Sequence, residues 1–214
     1  MKKCRMALDC VMVLLLPLLM AYSLIGELYH EIIGVAMGVL LVTHLVLNRK
    51  WFSSLFKGKY DARRVVTTLI NFLLIICVLT SMVSGIILSK HLFRFLGIKG
   101  LSSVMRTLHL LAAYWGMVLM SFHAGTHGGM ILSKLRKKPV RYTVSALLIA
   151  GAGYGVYVFI KRSIADFLFG KVMFVFFDAS ELFILRYLDY IAIIILFMTI
   201  GFLVTKLLSL IGRK

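Results

Sequence analysis

Acidic residues and prolines are scarce in this chain, and its cysteines are few and scattered. Eight Asp+Glu stand against 25 Lys+Arg, a formal charge of +17, yet charged residues are only 15% of the 214. The excess of basic charge invites a nucleic-acid reading, which requires a soluble basic face. A chain 61% apolar with mean hydropathy +0.98 cannot keep such a domain in solution. Soluble domains are nearer about 45–50% apolar and about 25% charged. Disorder is excluded by the opposite property, because the chain carries far more apolar surface than an unfolded segment does. Cys4, Cys10 and Cys77 cannot build a disulfide framework, and no C-x-x-C or C-x-x-C-H run exists for a thiolate zinc pair or a covalently attached haem. The class that remains is integral membrane protein, with basic residues marking the edges of the spans.

A bilayer core about 30 Å thick needs about 20 mostly apolar residues per helix. Six runs meet this, approximately 7–26, 28–47, 65–88, 105–125, 142–160 and 183–210, and predict an all-α, six-helix membrane bundle in a single domain over 1–214. Lys2, Lys3 and Arg5 before the first run resemble a signal-peptide start, but no small-x-small cleavage site follows, so the run is expected to stay as the first helix. Pro17 inside it is expected to kink it. With the N-terminus inside, the inner segments (to Arg5, Arg49–Arg64, Lys134–Arg141, and Lys206 with Arg213 and Lys214) hold 17 of the 25 basic residues. The outer segments hold the other 8, with six of the eight acids: Glu27, Glu31, Asp166, Asp178, Glu181 and Asp189. The positive-inside rule then predicts a multi-pass protein of the bacterial inner (cytoplasmic) membrane with both termini cytoplasmic. Trp51, Phe52 and Tyr60 stand where an interfacial aromatic belt belongs. Gly151-Ala-Gly153-Tyr-Gly155 has the wrong spacing and setting for a dinucleotide loop. Close helix packing through small residues explains it better.

Six histidines, His30, His44, His91, His109, His123 and His127, carry the chemistry. Ionisable groups inside spans are costly and are functional suspects by default. His30 and His44 are 14 residues apart on the second span, and His109 and His123 are 14 apart on the fourth. Fourteen residues turn about 1400°, about 40° short of four turns, and rise about 21 Å, so each pair shares a helix face and nearly spans the apolar core. The second and fourth spans run in the same direction. His30 with His109, and His44 with His123, then form two His–His pairs stacked across the membrane. That is the pattern for two bis-histidine haems b, with His30/His109 on the outer iron and His44/His123 on the inner one. Full axial ligation favours electron transfer over oxygen chemistry. A lone membrane histidine is often just a hydrogen-bonded core residue, and zinc or copper would also use imidazole. However, the spans offer almost no carboxylate or thiolate to complete a transport site.

His127, 18 residues from His109, shares the face of His123 and is its alternative as ligand, about 6 Å deeper than a partner on the second span. His91 is solvated, or binds a haem propionate, or handles protons at a quinone site. Gly34, Gly38 and Gly116 either let a porphyrin approach the backbone or serve helix packing. Arg106, Lys90 and Arg94 outside, and Arg49, Lys50, Arg63 and Arg64 inside, are available to propionates or are ordinary interfacial cations.

The runs Leu28-Tyr-His30-Glu-Ile-Ile-Gly34, Thr43-His44, Asn48-Arg-Lys-Trp51, Ser84-Gly85-Ile-Ile-Leu-Ser89, Leu108-His109, Ala113-Tyr-Trp-Gly116 and Phe122-His123-Ala-Gly-Thr-His127 resemble the flavinylation-associated cytochromes, a family of bacterial membrane b-type cytochromes. Gly155-Val-Tyr-Val-Phe-Ile-Lys-Arg162 and Phe174-Val-Phe-Phe-Asp178 are similar to its later part, so the resemblance covers most of the chain. It implies electron transfer between the quinone pool and an extracytoplasmic partner, often a domain carrying covalent FMN. No flavin-attachment motif is present here, so that flavin would sit on another protein. More distantly, the chain resembles the cytochrome subunits of hydrogenases and formate dehydrogenases, whose partner is an iron–sulfur protein. Such a chain is an electron-transfer subunit rather than a stand-alone enzyme. Its rivals are a ferric-reductase-like oxidoreductase, which normally needs a flavin and nicotinamide domain absent here, and a non-redox metal transporter or assembly protein.

Overall fold

An apolar run in an apolar medium must pair its own backbone N–H and C=O groups, which only helices and closed barrels achieve. The computed structural model describes residues 2–98, 100–135, 137–172 and 181–211, and all regular structure among them is helical. The elements are α1 (Lys2–Met20), α2 (Tyr22–Ile25), α3 (Glu27–Leu47), α4 (Lys50–Ser54), α5 (Ala62–Leu88), α6 (Ser102–Thr126), α7 (Gly128–Ser133), α8 (Lys138–Lys161), α9 (Ile164–Leu168) and α10 (Phe183–Ile211), with a 3-10 turn at Arg94–Leu96. Each of the six apolar runs coincides with a long helix, and the first is divided at Ala21 into α1 and α2. Gly26, at φ +82°, makes the sharp reversal from α2 into α3, a conformation open to residues without a Cβ. Asp61 starts α5 after the basic linker by accepting the Arg64 N–H at 2.7 Å, a side-chain N-cap.

Successive long helices run antiparallel. Asp9 of α1 meets His44 of α3, and Glu31 of α3 meets Ser89 just beyond α5. Asn71 and Ser84 of α5 meet His123 and His109 of α6 in reverse order. The second half closes on α10, which packs against both α6 and α8. A Cβ on Gly155 would strike the Ala192 carbonyl and Leu196, and one on Gly125 would strike the Met198 carbonyl. These glycines are where backbones come together, and Gly151 and Gly155 form a packing seam on α10. The apolar core formed by Met117, Val118, Val158, Ile164, Tyr190 and Ile193 lies along that seam and around α6.

Among the described residues four helices, α3, α5, α8 and α10, are long and apolar enough to cross a membrane. Their outward residues, such as Val35, Val39 and Val42 on α3 or Leu69, Ile76 and Val83 on α5, are exposed apolar side chains suited to lipid. The remaining two helices of the expected six do not meet that measure. Helix α1 carries Lys2, Lys3, Arg5 and Asp9 near its start, and α6 carries serines, Arg106 and two histidines. The physical reason for α6 is its position: flanked by α5 and α10, with Tyr114, Gly116, Met117 and Ser121 buried, it is shielded from lipid by neighbours. The side chains of Lys2 and Lys3, and Lys99, Arg136, Arg213, Lys214 and the stretch 173–180 with Asp178, lie outside the described residues.

Candidate bis-histidine sites

Helices α3 and α6 scarcely touch backbone to backbone among the described residues, because α3 rests mainly on α1 and more lightly on α5. Their histidines face each other across that separation. At one end the His30 and His109 rings stand 6.0 Å apart between centroids. Serine partners on α5 hold His109: its Nδ1 is 3.0 Å from the Ser81 carbonyl and 3.0 Å from Ser84 Oγ. Ser84 is itself buried and donates to the Thr80 carbonyl at 2.6 Å. His30 stacks edgewise on Tyr22 at 5.1 Å. Its Nδ1 is buried with no partner of hydrogen-bond geometry among the described residues, although the Leu19 carbonyl interacts with the ring.

At the other end, His44 and His123 lie within electrostatic range of each other. His123 Nδ1 donates to Asn71 Oδ1 at 2.7 Å, and His44 Nδ1 sits 2.8 Å from Asp9 Oδ1. His127 closes α6 with its ring 5.2 Å from that of His123, in electrostatic range of Asp9, Arg63 and His44. The two ends are joined by α5, which supplies the partners of both α6 histidines from Asn71 at one end and Ser81 and Ser84 at the other. Sequence reading missed these partners. The signal was an Asp inside the first apolar run, an Asn inside the third and a Thr80-Ser81 pair followed by Ser84.

The donor set fits an iron already held by a macrocycle. Two imidazoles sharing one metal, each about 2 Å from it with about 1.1 Å more to the ring centre, have centroids about 6 Å apart, the separation of His30 and His109. A ligating histidine characteristically donates its other ring N–H to a carboxylate, carbonyl or similar acceptor. His109, His123 and His44 each have Nδ1 so engaged, which leaves Nε2 as the lone-pair nitrogen. Among the described residues no three His, Cys, Asp or Glu side chains converge as a free-standing zinc site requires. Of the three glycines singled out, Gly34 has open space beside it, Gly38 admits the Met82 side chain, and Gly116 lies against Cys77. The first suits close approach of a ligand, whereas the other two serve packing with α5.

His91 is exposed, with Nε2 3.8 Å from Glu27 Oε2. Two of the candidate propionate cations have other partners: Lys90 is 2.5 Å from Glu27, and Arg64 donates to the Ser54 and Lys59 carbonyls and covers Tyr60. A second polar cluster, unforeseen in the sequence, ties α8 to α10. Buried Asp189 accepts from Tyr154 at 2.8 Å and from Arg162 at 2.9 and 2.6 Å. Arg162 also forks onto Glu181, which Arg186 approaches to 2.7 Å. The Arg162 hydrogen bonds, assisted by Arg186 against the cost of burial, hold the Glu181 carboxyl down at about 2. The same contact raises the Arg162 guanidinium above its ordinary value. Every charge in this cluster has an opposite partner, so it reads as a structural clamp. No family model, curated protein or solved structure matches the chain, so no family is assigned to it and its sites are read from their own chemistry.

Proposed function

We propose that the chain is a six-helix membrane cytochrome b carrying two bis-histidine haems, His30/His109 at one end of the bundle and His44/His123 at the other. It would transfer electrons between the quinone pool and an extracytoplasmic redox partner, a flavoprotein or an iron–sulfur protein, in line with its resemblance to flavinylation-associated cytochromes. The observation that carries the reading is the matched arrangement of α3 and α6. Both helices present two histidines on one face, at two common levels, and three of the four have Nδ1 anchored so that Nε2 is free to ligate.

Haem supplies reversible one-electron storage without proton chemistry of its own. The chain's residues do the rest. His30, His109, His44 and His123 fix the two positions about 21 Å apart along the helix axis, and Ser81, Ser84, Asn71 and Asp9 set ring orientation and tautomer. The neighbouring helices partly bury all four imidazoles, His44 least, which would favour protein nitrogen over water as the iron ligand. Orientation follows the positive-inside bias of the loops, with the His44 end cytoplasmic and both termini inside. The test is a reduced-minus-oxidised spectrum and haem count of the purified chain. Two b-type haems per chain are expected, with one lost in His30→Ala and the other in His123→Ala. Absence of a b-type signal refutes the proposal, and bound zinc or copper in its place would assign the histidines to a metal transporter.

A further inference from the structure

Resting on the dihaem reading, the geometry points to Asp9 as the residue that makes the His44/His123 haem the lower-potential of the two, so that the partner at the His30 end is an electron acceptor. Of the four proposed ligands, only His44 has its Nδ1 on a carboxylate among the described residues, Asp9 Oδ1, at 2.8 Å. His123 has the neutral amide oxygen of Asn71, and His109 has a backbone carbonyl and a serine hydroxyl. His30 has no acceptor in hydrogen-bond geometry. An anionic acceptor draws the ring proton toward itself and gives the imidazole imidazolate character. The ring becomes a stronger donor and favours the oxidised, more highly charged iron.

The wider charge pattern opposes this bias, with most basic residues at the His44 end and most acids at the His30 end, but among the described residues Asp9 is the one carboxylate in hydrogen-bond contact with a ring nitrogen of the four histidines. At the His30 end, Glu31 acts electrostatically on His30 but spends its carboxylate on Ser89 Oγ and the N–H groups of Lys90 and Leu92 at 2.7–2.8 Å. Glu27 is engaged by Lys90 and Tyr22. Neither carboxylate touches a ring nitrogen of His30 or His109. At the His44 end Arg63 acts on His127 and opposes the field of Asp9. Asp9 is also half-exposed, with its side chain at 51%, so water weakens its long-range field, though not its direct hydrogen bond to the ligand. Transfer between the ends oxidises one iron by one electron and reduces the other by one, with no proton or bond exchanged. The favoured direction is from the His44 end to the His30 end. With the basic loops on the cytoplasmic side, this exports electrons: a quinol-class reductant feeds the chain and the extracytoplasmic partner accepts.

Potentiometric titration of the holoprotein, with haem counted in parallel, tests this. Wild type should show two separated midpoints. Asp9→Asn keeps the acceptor oxygen and removes the charge. It should keep both haems and shift only the lower midpoint upward, by tenfold or more in the reduction equilibrium, about 59 mV for one electron. Asp9→Glu should restore the lower value. Independently, His109→Ala should retain a single haem having the lower midpoint. A shift of the higher midpoint in Asp9→Asn, no shift at all, or a higher midpoint for the haem left in His109→Ala overturns the inference while leaving the dihaem reading intact. Wild-type protein with no haem refutes both.

Discussion

Replacing Asn71 by Leu removes the hydrogen-bond acceptor of His123 while roughly conserving side-chain volume. In the intact chain Asn71 Oδ1 takes the His123 Nδ1–H at 2.7 Å, across the α5–α6 contact. Leaving a buried N–H unpaired costs about 1–3 kcal/mol. The loss of a partner behind a metal-ligating histidine lowers metal affinity about 10–100-fold, equivalent to about 1.4–2.7 kcal/mol. The two ranges overlap, so haem at the His44/His123 site should be held about ten- to a hundredfold more weakly. The site at His30/His109, whose partners are Ser81 and Ser84, should be unaffected. The assay is the rate and extent of haem loss from purified protein to an excess of a haem-scavenging apo-globin, followed by absorbance. One of two haems should leave early in Asn71→Leu, and Asn71→Asp, which keeps an acceptor oxygen, should not show that loss. Equal retention of both haems in Asn71→Leu and wild type refutes the reasoning. If His127→Ala then loses a haem with Asn71 intact, His127 is the ligand in place of His123.

Asp189→Leu should destabilise the bundle by about 3–5 kcal/mol, toward the low end because Glu181 still faces Arg162, as read by thermal unfolding in detergent. Glu181 has its carboxyl lowered in the fold from 4.5 to about 2. Its stabilisation is therefore full above about pH 4.5 and is lost as pH falls toward about 2, so Glu181→Gln should flatten the acid limb of a stability–pH profile. Gly155→Leu should lower the unfolding temperature, since overpacking costs about 1–3 kcal/mol and the Ala192 carbonyl cannot yield. Gly153→Leu, with nothing within 4 Å of its Cβ position, should unfold close to wild type.

Where the long helices lie was legible from the sequence, since each coincides with an apolar run, and four of them, among the described residues, are long and apolar enough to cross a bilayer. The pairing of histidines was legible for a related reason. Equal spacing on two helices of the same direction brings His30 to His109, and antiparallel neighbours make α3 and α6 parallel. Polar partners were not legible in that way. Asp9 and Asn71 sit in apolar runs as isolated polar residues and Ser84 follows a Thr80-Ser81 pair, and nothing local says which face of which neighbour they meet. Likewise Asp189 and Arg186 near the start of the last apolar run could as well have been read as span-edge residues. Only the crossing of α8 and α10 at Gly155 brings Arg162 onto Asp189, and onto the Glu181 carboxylate that Arg186 shares.

By itself the sequence determined the all-helical, membrane-type class, the approximate extent of the long helices, and the meeting of His30 with His109. These follow from composition and from a helical repeat that is the same in every helix. The basic excess belongs to the same level, because Lys and Arg cluster wherever an apolar run ends. The tertiary structure alone decided that α6 is an interior helix which neighbours shield despite its polar residues. It also decided that His44 leans on a carboxylate while His123 and His109 meet neutral groups and His30 Nδ1 meets none in hydrogen-bond geometry among the described residues. Those outcomes depend on how helices rotate and cross, and short-range packing of particular glycines and side chains sets that geometry.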